Sequence, residues 1–228
     1  MLGVYALFER INAAFPDLLI ENCSGGGGRF DAGMLYYSPQ IWCSDNTDAV
    51  NRLDIQYGTS FFYPMSAVAA HVSVCPNHQT GRSVPMATRA AVAGTGAFGY
   101  ELDLGKLSGT ERARVADDIR AYRAREELFR EGRYHRLTQP EDACAAWMYV
   151  SRDGGKALLS AVMRRAEGNA LPVNVPVRGL KSNVDYRCSL TNAVHRGALW
   201  MACGLTLPVI YWQYESVVAE FGKGEQYV

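Results

Sequence analysis

The chain has 228 residues, of which 48% are hydrophobic and 20% charged. These proportions exclude wholesale disorder and leave room for one large domain or two modest ones. Lys+Arg and Asp+Glu both number 23, so there is no basic excess to hold nucleic acid or an anionic membrane surface, and a neutral partner is expected.

The longest apolar runs, such as Met65–Ala70 and Leu205–Ile210, fall far short of the ~20 residues needed to span a bilayer. The first residues carry Glu9, Arg10 and Asp17 within an amphipathic stretch instead of a basic and then apolar leader, which points to the cytoplasm. The six cysteines form no C-x-x-C pair, so free thiols are expected, without a zinc site or a disulfide framework.

Val4, Leu7, Phe8, Ile11 and Phe15 recur at helical spacing, and Pro16 ends that helix. A strand is predicted over Leu18–Asn22, then a loop over Ser24–Asp31. The alternation continues with strand Gln40–Ser44, helix Asp48–Tyr57, strand Ala69–Val74, helix Met86–Ala93, strand Gly99–Leu104 and a long helix over Thr110–Arg130. Strands alternating with helices imply parallel βα units. Only four units fit before Pro140, whereas a complete (β/α)8 barrel takes about 250 residues, so residues 1–137 read as the C-terminal half of such a barrel. No capping residue precedes Leu2, which suggests that the chain starts inside a larger fold.

Beyond Pro140 the pattern changes to short segments, Ala146–Ser151, Ala157–Met163, Asp185–Leu190 and Leu199–Leu207, separated by Gly, Asn and Pro turns. Residues 138–228 therefore read as a small antiparallel β domain.

Gly25–Gly28 follow the first strand, but no Gly-Lys-Ser/Thr comes after them, so they are not a P-loop. Composition leaves two readings open: a flexible turn, or a backbone that approaches a ligand closely at a strand end. Gly94-Thr95-Gly96-Ala97-Phe98-Gly99 fits the spacing of a dinucleotide fingerprint, yet a helix precedes it and a strand follows, the reverse of the required order. These glycines are expected to stop the helix and make the turn.

In Trp42-Cys43-Ser44-Asp45-Asn46-Thr47-Asp48, Asp45 falls where the strand ends, the usual place for a barrel enzyme's catalytic group. Spacing alone also allows Asp45 to be no more than a cap. Asp48 is expected in the first turn of the next helix, with Asn46 or Thr47 capping it. His71 and His78 are expected to be hydrogen-bonding loop residues, since they and Cys75 offer too few ligands at irregular spacing for a metal. Cys23 stands at a strand end, where its ordinary role is that of a small buried hydrophobe.

Taken together, Glu21-Asn22-Cys23-Ser24-Gly25-Gly26-Gly27-Gly28-Arg29-Phe30-Asp31, Trp42 to Asp48, and His71-Val72-Ser73 with Pro76-Asn77-His78 closely resemble glycoside hydrolase family 36 α-galactosidases in order and spacing. Gly99-Tyr100-Glu101-Leu102-Asp103-Leu104, Tyr134-His135-Arg136-Leu137 and Arg178-Gly179-Leu180 extend the resemblance over nearly the whole chain. The resemblance implies a retaining hydrolase of terminal α-galactosides such as melibiose and raffinose, with a barrel followed by a C-terminal β-sandwich and no cofactor. It assigns Asp45 as the general acid/base and places Cys23, Gly26 and Asp45 in the galactose pocket.

The family's nucleophile is an aspartate in a Lys-Trp-Asp motif on an earlier strand, and that motif occurs nowhere in this sequence. The chain is therefore expected to be a C-terminal fragment, inactive by itself and a homo-oligomer at full length. A non-catalytic galactoside-binding fragment and a galactosyl-transferring relative are the alternatives.

Overall fold

The computed structural model describes residues 2–169, 171–210 and 212–224. Its first part runs α1 (Leu2–Ala14), β1 (Glu21–Asn22), α2 (Ala32–Tyr37), β2 (Gln40–Ile41), α3 (Ala49–Thr59), β3 (Ala69–Ser73), α4 (Met86–Ala93), β4 (Ala97–Glu101) and α5 (Gly109–Glu131). β1 pairs with β2 and β3 with β4, both in parallel, and a parallel bridge between Ile41 and Val68 joins the two pairs. The four strands stand side by side in chain order, with the helices supplying the crossovers that parallel neighbours require.

Short polar side chains set the helix starts by accepting hydrogen bonds from amides that lack an intrahelical partner. Asp31 accepts from Met34 N, and Ser108 with Glu111 forms a complete capping box on α5. Asp48, expected inside the first turn of α3, is instead its N-cap, accepting from Val50 N and Asn51 N, while Asn46 Oδ1 receives the Asp48 N–H. The strand expected from Leu18 begins only at Glu21, and both Leu18 and Leu19 are exposed. Gly94 ends α4 as expected, and Gly99 lies within β4, which starts at Ala97, two residues before the strand predicted over Gly99–Leu104. There a Cβ would sit 2.7 Å from His71 Cδ2, so a bare backbone at Gly99 makes room for that ring.

The second part comprises β5 (Arg133–Arg136), β6 (Cys144–Val150), β7 (Lys156–Met163), β8 (Asn174–Val175), β9 (Asp185–Cys188), β10 (Val194–Arg196), α6 (Gly197–Cys203), β11 (Leu205–Thr206) and β12 (Ser216–Lys223). Six of these strands form an antiparallel sheet in the order β10-β9-β12-β7-β6-β5, and β8 pairs with β11 separately.

Successive side chains of a strand point to opposite faces, and in β6 and β7 both faces are buried. Ala146, Met148, Leu159 and Ala161 join a core closed by Val175, Trp200, Leu205 and Phe221. Trp147, Tyr149, Leu158 and Val162 join Leu53, Met65, Val92 and Phe129 of the first part. This two-sided burial explains why these antiparallel strands are mostly apolar on both faces instead of alternating, Lys156 and Ser160 being the polar residues of β7. Polar links reinforce the junction: Tyr149 Oη donates to Thr95 O, Arg164 pairs with Asp54 at 2.7 Å, and Arg125 pairs with Glu220.

The strand expected over Leu199–Leu207 is a correction. Its first half is helix α6, and only Leu205–Thr206 is extended. One helical turn carries both Gly197 and Trp200 inward, and Trp200 Nε1 donates to Tyr186 O at 3.0 Å. Gly204, in a left-handed conformation at φ +73°, stops the helix. β5, β8, β10 and β12 lie outside the segments predicted as strands, although the alternate burial of Ala219 and Phe221 in β12 is the ordinary sheet pattern.

Candidate active site

The carboxyl ends of β1 and β2 lie next to each other and carry the residues singled out from sequence. After Asn22 and the half-buried Cys23, the backbone takes positive φ at four consecutive residues: Ser24 (81°), Gly25 (63°), Gly26 (71°) and Gly27 (96°). Such a run is accessible only to a glycine-rich segment. It folds the loop back onto the residues after β2, closed by Gly28 N donating to Ser24 O (3.1 Å) and Asn22 Nδ2 donating to Arg29 O (3.1 Å).

A Cβ at Gly26 would lie 2.8 Å from Asp45 N and 3.3 Å from Asp45 Cγ. The close approach that the geometry shows is to the Asp45 backbone, which is neither the flexible turn nor the ligand contact of the two readings. Gly26→Ala is expected to destabilise the protein by more than ~1 kcal/mol, because the new methyl meets backbone atoms while φ stays positive. Thermal melts check this, and an unchanged midpoint would refute it.

Asp45 ends the segment after β2 with its side chain exposed. It caps no helix, since that role belongs to Asp48. Its backbone oxygen accepts from Gln79 Nε2 at 2.9 Å, and Asn46 N donates to Ser44 Oγ at 3.2 Å.

Ala70 and Val72 pack against α4, so His71 and Ser73 face the other side of the sheet. His71 is therefore a strand residue and not a loop residue. Its ring stacks on Trp42 at 4.6 Å, and Nδ1 lies 3.6 Å from Glu101 Oε2. Arg52, buried beneath, has its guanidinium 4.7 Å from the Trp42 ring centroid and donates to Ser44 O (3.2 Å) and Ala69 O (2.6 Å). Burial pulls the Arg52 pKa below its ordinary value, opposed by the Cys43 thiol and the Glu101 carboxylate.

Beneath Asp45 lies a polar network that was not legible in sequence. Asp48 is buried and accepts from Thr80 Oγ1 (2.6 Å) and from Arg82 Nη1 besides its two capped amides. Burial pushes its carboxyl pKa up, but the Thr80 and Asn51 hydrogen bonds and the Arg82 charge outweigh this and hold it below the usual value. The Arg82 guanidinium in turn lies 5.4 Å from the Tyr214 ring centroid, tying this loop to the segment before β12. The only advance signal was the run of polar residues Asn77-His78-Gln79-Thr80. Among the described residues no group of three or more His, Cys, Asp or Glu is placed to hold a metal ion, and no helix is long and apolar enough to cross a membrane.

An exposed carboxylate at the carboxyl end of one of several consecutive parallel strands occupies the position that βα-barrel enzymes give their reacting groups. The Melibiase family model matches residues 1–132, and that of the glycosyl hydrolase family 36 C-terminal domain matches residues 144–221. The chain belongs to glycoside hydrolase family 36, the melibiases.

It is 52% identical over 217 residues to the bifunctional alpha-galactosidase/sucrose kinase AgaSK of Mediterraneibacter gnavus, covering 95% of this chain and 23% of that protein. It is 49% identical over 209 residues to the alpha-galactosidase AgaA of Geobacillus stearothermophilus, covering 91% of this chain and 28% of that one. The solved galactosidase domain of AgaSK superimposes with a TM-score of 0.95, over 97% of this chain and 31% of that one. An AgaA variant crystallised with raffinose gives 0.95 at 44% identity, over 98% and 31%. The chain thus spans less than a third of the length of these relatives.

Proposed function

We propose that this chain is the acid/base-bearing C-terminal portion of a retaining α-galactosidase. In this reading residues 1–137 are the C-terminal half of a (β/α)8 barrel and residues 138–228 a β-sandwich domain, with β5 already hydrogen-bonded into the sheet that follows it. The observation that carries the proposal is the exposed Asp45 in the segment that follows β2, held against Gly26, in a chain of this family.

Asp45 protonates the glycosidic oxygen as the aglycone leaves, then removes a proton from the water that releases galactose. The nucleophile, ~5 Å away in a retaining site, belongs to an earlier strand, since no Lys-Trp-Asp occurs in this sequence. Cys23, Gly26 and Asp45 line the galactose pocket, and the absence of a side chain at Gly26 lets the Asp45 backbone pack directly against it. The substrates are α-galactoside oligosaccharides, in keeping with AgaA variants solved with raffinose and with stachyose. The reading includes no cofactor, nucleic acid or membrane partner, a cytoplasmic setting, and a homo-oligomer at full length.

The test joins this chain to the upstream portion of the AgaSK galactosidase domain and follows galactose release from raffinose. The joined protein is expected to hydrolyse raffinose and the 228-residue chain alone to hydrolyse none. Hydrolysis by the chain alone, or a folded but inactive joined protein, would overturn the proposal.

A further inference from the structure

We infer that Gln79 is a positioning residue for the acid/base, an inference that rests on the role proposed for Asp45. The Asp45 carboxylate accepts no hydrogen bond among the described residues, so the path of its backbone decides where it points. Gly26 presses on that path from one side. On the other, the Gln79 carboxamide spans it: Nε2 donates to Asp45 O at 2.9 Å, and Oε1 accepts from Thr47 N at 2.9 Å and from Thr47 Oγ1 at 3.3 Å. The Gln79 carboxamide offers a donor and an acceptor side by side, matched here to a backbone carbonyl oxygen and an N–H two residues on.

Gln79 is exposed, but its anchorage is not. Its own N–H donates to Asn77 Oδ1 at 3.0 Å, and Asn77 Nδ2 donates to Thr47 Oγ1 (3.0 Å) and Ser73 Oγ (3.3 Å). Ser73 Oγ donates to Thr47 O at 3.0 Å. Asn77, Thr47 and Ser73 are all buried, so the loop after β3 grips the acid-bearing segment after β2 through a fixed base. A general acid must come within hydrogen-bond reach of the leaving oxygen, and a displacement of ~1 Å lowers the rate by about 10²-fold.

The test measures leaving-group dependence in the protein completed upstream. Gln79→Leu is expected to lower kcat/KM for raffinose by roughly 10- to 100-fold. For α-galactosyl fluoride, whose leaving group needs no proton, the loss should stay below about threefold. In the same completed protein, deuterium uptake at the Thr47 amide should quicken in Gln79→Leu. Equal losses on both substrates, or unchanged Thr47 uptake, would overturn the inference. Asp45→Asn is assayed alongside: if it shows no leaving-group dependence, the acid/base reading falls instead, and the two failures are told apart.

Discussion

Asp45→Asn, in the protein completed upstream, is expected to lower kcat/KM for raffinose by roughly 10²- to 10⁴-fold, the usual contribution of a general acid. The loss follows from leaving-group chemistry. An alkoxide departing from raffinose needs a proton at the moment of cleavage, whereas fluoride does not, so α-galactosyl fluoride should still form the glycosyl-enzyme. Breakdown of that intermediate then becomes slow, because no base remains to deprotonate water.

Azide needs no such base and should restore turnover. It attacks the face from which the aglycone left, so the product is α-galactosyl azide. If Asp45 were the nucleophile, its replacement would abolish reaction with both substrates, and any azide product would have the β configuration. Product configuration by NMR separates the two roles.

Asp48→Ala is expected to lower stability by about 2–4 kcal/mol. About 1 kcal/mol follows from the lost N-cap, and about 1–3 kcal/mol from leaving hydrogen-bond donors unpaired around a buried site. The Asp48 side chain is 0% exposed, but its partner Arg82 is 28% exposed, so water partly solvates the orphaned guanidinium and limits the loss. For a protein of this length the melting temperature should fall by roughly 5–15 °C. Asp48→Asn keeps a capping oxygen and should lose less.

The acid dependence gives a second check on this site. Burial raises the Asp48 pKa, but Thr80, the Asn51 amide and Arg82 lower it further, so the net folded value lies below the ordinary 3.8. The native state therefore binds this proton more weakly than the unfolded state. The stability it contributes is complete above the unfolded value and is lost as the pH falls through the lower, folded one. Melts of wild type and Asp48→Asn from neutral pH into that range should converge as the medium becomes more acidic. A constant gap would show that Asp48 is not responsible.

The order of parallel βα units was legible because each signal is local: Pro16 ends α1, and apolar spacing marks the helices that follow. The place of Asp45 after the second strand was also legible, although that strand stops at Ile41 and not at Ser44, and so was the family, since both rest on contiguous residues. Helix α6 was not, because Leu199 to Cys203 is apolar enough for either state and the inward turn of Gly197 and Trp200 selects the helix. Asp48 as cap was not, since Asn46, Thr47 and Asp48 are all competent to cap and the donors from Thr80 and Arg82 select the third.

Sequence by itself thus determined the alternation of elements, the family and the position of the candidate acid. Only the tertiary structure decided which side chain hydrogen-bonds the Asp45 backbone and which faces of β6 and β7 are covered. Gln79 stands 34 residues from Asp45, and β6 meets the first part of the protein across a shared core. Periodicity reports the geometry of one element at a time, whereas these contacts arise where separate elements are brought together.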